Sequence, residues 1–257
     1  MFTVQDKPSA AQAIQPYVAL AYRHFPHTPV IEPGLEIHPF WSGEGNLSYL
    51  LLNPASREVL LIDPDLEILG SYLLTLDREK LALRAVLDTH NHAEHATAAP
   101  LLATQFGVPY IMHAKAPSHA VTDRVKDGDT RTLAGLTVEA LHTPGHTPCM
   151  TTYRVGNHIF TGDSLFNASC GRADLPGGSA GEQYDSIHRL AALPPQTIVH
   201  PGHDYNNRLS ITIGEAASGN ARLAIEPRET FTAWMADHYA GEDKPDDLMY
   251  YVAFNAR

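Results

Sequence analysis

Apolar residues recur along this chain in two rhythms. Between residues 36 and 63 three stretches, EIHPFW, LSYLLL and EVLLID, carry the short apolar runs of β-strands, with turn residues Asn53, Pro54 and Ser56 between the last two. Leu66, Leu69, Leu73 and Leu76 then recur at three- and four-residue spacing, which predicts an amphipathic helix over 65–76. Strand LRAVLD follows. A second round predicts a helix near Pro100–Phe106, strands VPYIMH and LTVEALH, and a hairpin over MTTYRVGNHIFTGD that turns at Gly156-Asn157. Residues 166–180 read as loop, a helix runs from about Gly181 to Leu193, strand TIVHPGHD comes next, and 213–240 hold two short helices. A helical pattern also covers 9–24, ahead of a Pro-rich connection to Pro33. No repeat, low-complexity tract or linker breaks the series. The expectation is one domain over 1–257, with 1–33 as an N-terminal extension and 213–257 as a C-terminal helical segment.

Composition narrows the setting. A chain of 257 residues with 44% apolar content is long enough to bury a real core. No run reaches the length of a membrane helix, and the N-terminus lacks a basic region followed by an apolar one, so the expected location is the cytoplasm. A net charge of −11 repels nucleic acid and anionic membrane, and neither is expected as a partner. Cys149 and Cys170 form no C-x-x-C pair and are expected as thiols. The anomaly is histidine, with 15 residues against 18 Lys+Arg.

Those histidines are placed by the strands. Residues 84–87, 136–141, 158–161 and 197–199 are apolar strands that run straight into His90/His92, His146, Asp163 and His203. Loops at the ends of rigid strands are where reactive groups are commonly held. THNHAEH, residues 89–95, adds Glu94 and His95. His, Asp and Glu together suit zinc, iron or manganese. His90 and His92 are two apart and would project to one side of an extended segment, so one metal could take His90 and His92 and a neighbouring one Glu94 and His95. A lone histidine at a strand end is ordinarily just packed or solvated. A three-histidine, one-acid loop echoed by His, Asp and His at three later strand ends points to a metal site.

THNHAEH, TPGH, TGD and PGHDY, in this order and spacing from about residue 36 to 205, resemble the motifs of the metallo-β-lactamase superfamily. That resemblance implies an α/β, four-layer αββα sandwich: two mixed sheets face to face, helices outside, metals at one sheet edge. FTGDSLFNASCGRADLPGGSA, ALPPQTIVHPGHDYNN and TIGEAASGNARL, with IDPDLE earlier, are most similar to the persulfide dioxygenases, and extend the likeness to about residue 223. The resemblance implies one Fe(II) per chain on His90, His146 and Asp163. It also implies a glutathione contact at Arg172 and, through the related glyoxalase II enzymes, at Tyr205. This chain departs from the family pattern in having Glu94 where an aspartate is usual, and HTPCM after the third histidine where HTxGC is usual.

Two chemistries can use these residues. Two histidines and a carboxylate on one face of iron leave positions for a persulfide sulfur and O2, and the products are sulfite and glutathione. With two zinc ions, or a mixed dinuclear site, His90, His92 and His146 would hold one metal, Glu94, His95 and His203 the other, and Asp163 would bridge. That arrangement hydrolyses a thioester such as a hydroxyacylglutathione. GGSAG, residues 177–181, matches the nucleophile motif of serine hydrolases, but RADLP before it reads as loop where that motif requires a strand. A small thiol or persulfide substrate, and a homodimer, complete the expected partners.

Overall fold

Strand β3 (Asn46–Asn53) is buried from Leu47 to Leu52 and apolar there except for Ser48, with no polar face to turn to water. Such a strand needs cover on both sides, and the side-chain alternation of a strand divides that cover in two. The computed structural model describes residues 29–43, 45–240 and 248–256, the side chains of 248–250 excepted. In it, Leu50 and Leu52 pack outward while Tyr49 and Leu51 pack inward. Strand β4 (Glu58–Ile62) does the same, with Val59 and Leu61 outward and Leu60 and Ile62 inward.

Among the described residues the first sheet has seven strands. β1 (Val30–Glu32), β2 (Leu35–Ser42), β3 and β4 are followed in order by β5 (Ala82–Leu87), β6 (Tyr110–His113) and β7 (Asp123–Val125). β1 to β4 pair antiparallel, and β4 to β7 pair parallel. Helices α1 (Leu69–Arg78) and α2 (Ala99–Phe106) supply the crossovers from β4 to β5 and from β5 to β6. They cover the outer face with Tyr72, Leu73, Leu76 and Leu102. α1 is led in by a short 3-10 turn over Leu66–Ile68, capped by the Asp65 carboxylate on the Glu67 N–H.

The second sheet comprises β8 (Thr130–Leu133), β9 (Leu136–His142), β10 (Thr151–Val155), β11 (His158–Gly162), β12 (Ile198–Pro201) and β13 (Ile211–Thr212). Its inner side chains Val138, Ala140, Tyr153, Val155 and Phe160 meet those of the first sheet. Its outer face lies under α3 (Ala180–Ala191), α4 (Ile213–Gly219) and α5 (Arg228–His238) through Ile187, Leu190 and Phe231. The result is a four-layer αββα sandwich.

The helix over 65–76 is found as the turn plus α1, and the helices at 100–106, 181–193 and 213–240 as α2, α3, α4 and α5. Ser179 of GGSAG is the N-cap of α3 and accepts from the Glu182 N–H at 3.3 Å, so it sits on no nucleophile elbow. The sequence reading missed β1, β7, β8 and β13; the last helix, α6 (Leu248–Asn255), falls in the expected C-terminal helical segment, although the sequence pattern gives it no bounds. These strands are two to four residues long, and β7 and β8 are polar, so they carry little apolar signal. The helical pattern at 9–24 lies outside the described residues. Among the described residues no helix is long and apolar enough to cross a membrane.

At one edge of the sandwich the backbones of the two sheets are sewn together. Thr151 N–H donates to Thr89 O at 2.8 Å, and Leu47 N–H to Gly202 O at 2.8 Å. The Tyr49 hydroxyl, edge-on to Phe160, donates to Pro201 O at 2.7 Å. That edge is where the histidines gather.

Candidate metal centre

THNHAEH leaves β5 and turns back without forming a helix; α2 begins only at Ala99. Two outside groups hold this irregular loop. Asp63, just past β4, accepts from Thr89 N–H at 2.6 Å and Thr89 hydroxyl at 2.9 Å. Asn255 of α6 donates to His92 O at 3.0 Å and His95 O at 2.8 Å, and accepts from Thr97 N–H at 3.0 Å. Asp63 itself has φ 52°, a left-handed conformation that costs free energy and tends to be kept where geometry matters.

These bonds set the tautomers. The Thr89 hydroxyl gives its proton to Asp63, so its oxygen is left to accept from His90 Nδ1–H at 3.0 Å. His146 Nδ1–H donates to Arg172 O at 2.7 Å. In both rings Nε2 is then the bare acceptor. Burial, with His92 beside it, pushes the His90 pKa down to about 3, so its lone pair stays available. Burial disfavours an ionised Asp163, but His203 and His146 outweigh it and hold the carboxylate below its usual range. Neutral imidazole and ionised carboxylate are the forms that bind a metal.

His90, Glu94, His146 and Asp163 each offer an atom within 4.8 Å of the others. His146 Nε2 lies 3.6 Å from Asp163 Oδ2, and His203 Nε2 lies 3.4 Å from the same oxygen. His90 Nε2, His146 Nε2 and Asp163 Oδ1 are all buried with no hydrogen-bond partner. Two bare imidazole nitrogens gathered with a buried carboxylate within 4.8 Å fit a cation. The backbone makes room for Asp163: a Cβ at Gly171 would come within 2.4 Å of its carbonyl oxygen, and one at Gly202 within 2.5 Å of Oδ1.

His92, Glu94 and His95 form a second group. The sequence suggested His92 beside His90, and their ring centroids are 4.1 Å apart. The nitrogens of His92 face elsewhere, Nδ1 to Glu94 Oε1 at 2.7 Å and Nε2 to Asp63 Oδ1 at 3.2 Å. Burial alone would discharge this ring, yet the two carboxylates prevail and raise its pKa well above the usual value. Glu94 Oε1 also lies 3.5 Å from His95 Nε2 and 3.9 Å from His90 Nε2, so one carboxylate touches both groups.

The centre opens into a cavity of about 930 Å³. Arg172 lines it, with its guanidinium bonded twice to Asp174 at 2.7 and 2.8 Å and lying over the Tyr239 ring at 4.7 Å. Tyr205 stands at the mouth, 68% exposed and stacked on His203. Cys170 also lines the cavity, but burial raises its thiol pKa to about 11, so it serves there as a small packed residue. Asp63 and Asn255 escaped the sequence reading. Asp63 follows a strand just as Asp163 does, and the same rule would have found it; Asn255 acts across 160 residues and leaves no local trace.

Comparison with known proteins gives a consistent picture. Residues 42–203 match the family described as the metallo-beta-lactamase superfamily. The chain is 32% identical to the mitochondrial persulfide dioxygenase ETHE1 of Homo sapiens over 218 residues, covering 82% of this chain and 83% of that one. It is 34% identical over 176 residues to a probable hydroxyacylglutathione hydrolase of Schizosaccharomyces pombe, covering 65% and 67%. The crystal structure of ETHE1 from Myxococcus xanthus superposes with a TM-score of 0.81 at 33% identity, covering 86% of this chain and 97% of that chain.

Proposed function

Because the chain belongs to the metallo-beta-lactamase superfamily and carries a buried His/Asp cluster able to chelate a metal ion, we propose that it is an iron-dependent dioxygenase of glutathione persulfide. The observation that carries this reading is the trio of buried, unpartnered donors on His90, His146 and Asp163, while His92 is engaged at both nitrogens. Two imidazoles and one carboxylate form the ligand set of non-haem Fe(II) oxygenases. The 32% identity to a persulfide dioxygenase supports it.

In this reading His90, His146 and Asp163 hold the iron. When bound, Fe(II) supplies a site where a persulfide sulfur and O2 meet. The overall reaction consumes one persulfide, one O2 and one water, and yields glutathione, sulfite and two protons. The terminal sulfur loses four electrons and O2 gains them. Thr89 and the Arg172 carbonyl fix the two imidazoles, so neither ring has to reorient during turnover. Tyr205 and Phe166, edge-on to one another, shield His203 at the mouth. The Arg172 guanidinium, held by Asp174, borders the glutathione moiety.

A second reading rests on Glu94, whose Oε1 reaches both histidine groups. In that reading Glu94 would turn from His92 Nδ1 to a metal, and Nδ1 would join it as a ligand while Asp63 keeps the Nε2–H. His95 and His203 would complete a dinuclear zinc or iron hydrolase, and the Schizosaccharomyces pombe relative supports this reading. Metal analysis of protein purified without added metal, with two assays, separates the two. Oxygen uptake with glutathione persulfide and about one iron per chain supports the dioxygenase. Glutathione release from a hydroxyacyl thioester, without oxygen uptake, overturns it.

A further inference from the structure

The outer face of the first sheet carries a groove that the metal chemistry does not use. It is a cavity of about 450 Å³. Leu50 and Leu52 of β3 line it, with Leu74 of α1 and Leu81 just beyond that helix. The charges at its rim are met within the rim. Glu36 faces His38 at 3.3 Å, and Glu79 faces Arg57 at 3.8 Å. An apolar floor inside a polar rim suits uncharged apolar side chains.

The chain itself arrives at this rim. Val30 of β1 pairs with Ile37 of β2, so the polypeptide comes in beside His38 before it enters the sheet. Across β2, His38 is paired with Leu50 of the floor. Residues 1–28 lie outside the described residues. Their sequence holds an anomaly. Positions 8–22, PSAAQAIQPYVALAY, carry no charged side chain, in a chain that is 18% charged. Tyr17, Val18, Leu20 and Tyr22 gain free energy from any apolar surface that takes them out of water. Seven residues lead from Tyr22 to Pro29, a tether of at most about 25 Å. Neighbouring strands lie about 5 Å apart, so the floor on β3 is well inside that reach.

We propose that this groove is the seat of the chain's own N-terminal stretch, residues 17–22, whose apolar side chains lie between β3 and the end of α1. α1 follows the 3-10 turn capped by Asp65, and Asp65 and Glu67 of that turn line the metal cavity. The seated stretch therefore braces the helix behind one wall of that cavity. The assignment is independent of the reaction performed at the metal centre.

Disulfide trapping in the full-length chain tests this. Cys149 and Cys170 are buried and do not compete. Thr75 stands at the groove on α1. Glu32, nearer along the chain, faces His158 of the other sheet, away from the groove. Under mild oxidation Val18→Cys/Thr75→Cys should close an intramolecular disulfide roughly 10-fold faster than Val18→Cys/Glu32→Cys, because seating raises the effective concentration at Thr75 above that of a free tether. Peptide mapping reads the closure. Equal or slower closure at Thr75 would overturn the assignment, and so would closure between two chains, which would give the groove to a second copy. Hydrogen exchange supplies an independent arm that leaves the described core untouched. Tyr17→Asp/Leu20→Asp should speed exchange in peptides covering 74–81 roughly 10-fold, the net yield of one large apolar side chain after the cost of ordering the segment, and leave 198–212 unchanged. Unaltered exchange over 74–81 would sink the proposal.

Discussion

Replacing Asn255 by Ala should release the loop that presents His90, His92 and His95. The Asn255 amide occupies three backbone groups of that loop, the carbonyls of His92 and His95 and the N–H of Thr97. Asn255 is buried, and Val252 on the same helix packs against Ala93 and Leu175, so water cannot simply replace the lost side chain. A buried polar group left without a partner costs about 1–3 kcal/mol. Three groups at the low end of that range give about 3 kcal/mol. With a factor of ten for each 1.4 kcal/mol, the open loop becomes roughly 100-fold more populated. Hydrogen exchange read by mass spectrometry should show this as roughly 100-fold faster exchange in peptides covering 89–98. Peptides from β3 and β4, whose side chains are buried on both faces, should be unchanged. The variant should also lose metal faster on dialysis against a chelator. Loop exchange equal to wild type would show that α6 merely rests on the loop, and the reasoning would be refuted.

Asp163→Ala removes the one carboxylate between His146 and His203 and should abolish both metal retention and activity; a fully active variant would exclude Asp163 as a ligand. Glu94→Gln separates the one- and two-metal schemes, since a mononuclear site keeps its metal stoichiometry and a dinuclear one loses about one ion, read by elemental analysis. His200 is buried between Phe160 and Tyr49 and bonded to His158, which faces Glu32; burial, then His158, pushes its pKa down to about 3. The unfolded chain takes up that proton near pH 6.5, so stability falls as pH drops from 6.5 toward 3. Between pH 6.5 and about pH 4.5 the loss from this one ring is about 2 kcal/mol. Denaturant melts of His200→Phe should lack that increment; the same acid slope in both proteins would show that His200 is not its source.

Much of this site could be read from the chain because strand ends are marked twice. An apolar run announces the strand, and the polar residue beyond it announces what the strand delivers; His146, Asp163 and His203 were all found that way. The helices α1 and α3 were legible for a similar reason, since each buries one stripe. Three kinds of feature were not legible. Short polar strands such as β7 and β8 form because a neighbouring backbone offers partners, not because of their own pattern. The facing of the His92 nitrogens depends on Asp63, which is 29 residues away. The engagement of the Arg172 guanidinium depends on Asp174 and Tyr239, and sequence spacing carries no information about whether it is already paired.

His90 and Glu94 follow β5 of one sheet, whereas His146, Asp163 and His203 follow β9, β11 and β12 of the other. A cation gripped by both sets would act as a rivet through two plates. Its affinity would then be mechanical as well as chemical. At a free concentration 1,000 times its dissociation constant it would add about 4 kcal/mol to the resistance of the whole sandwich against prising apart. The melting point would rise and fall with the supply of the ion.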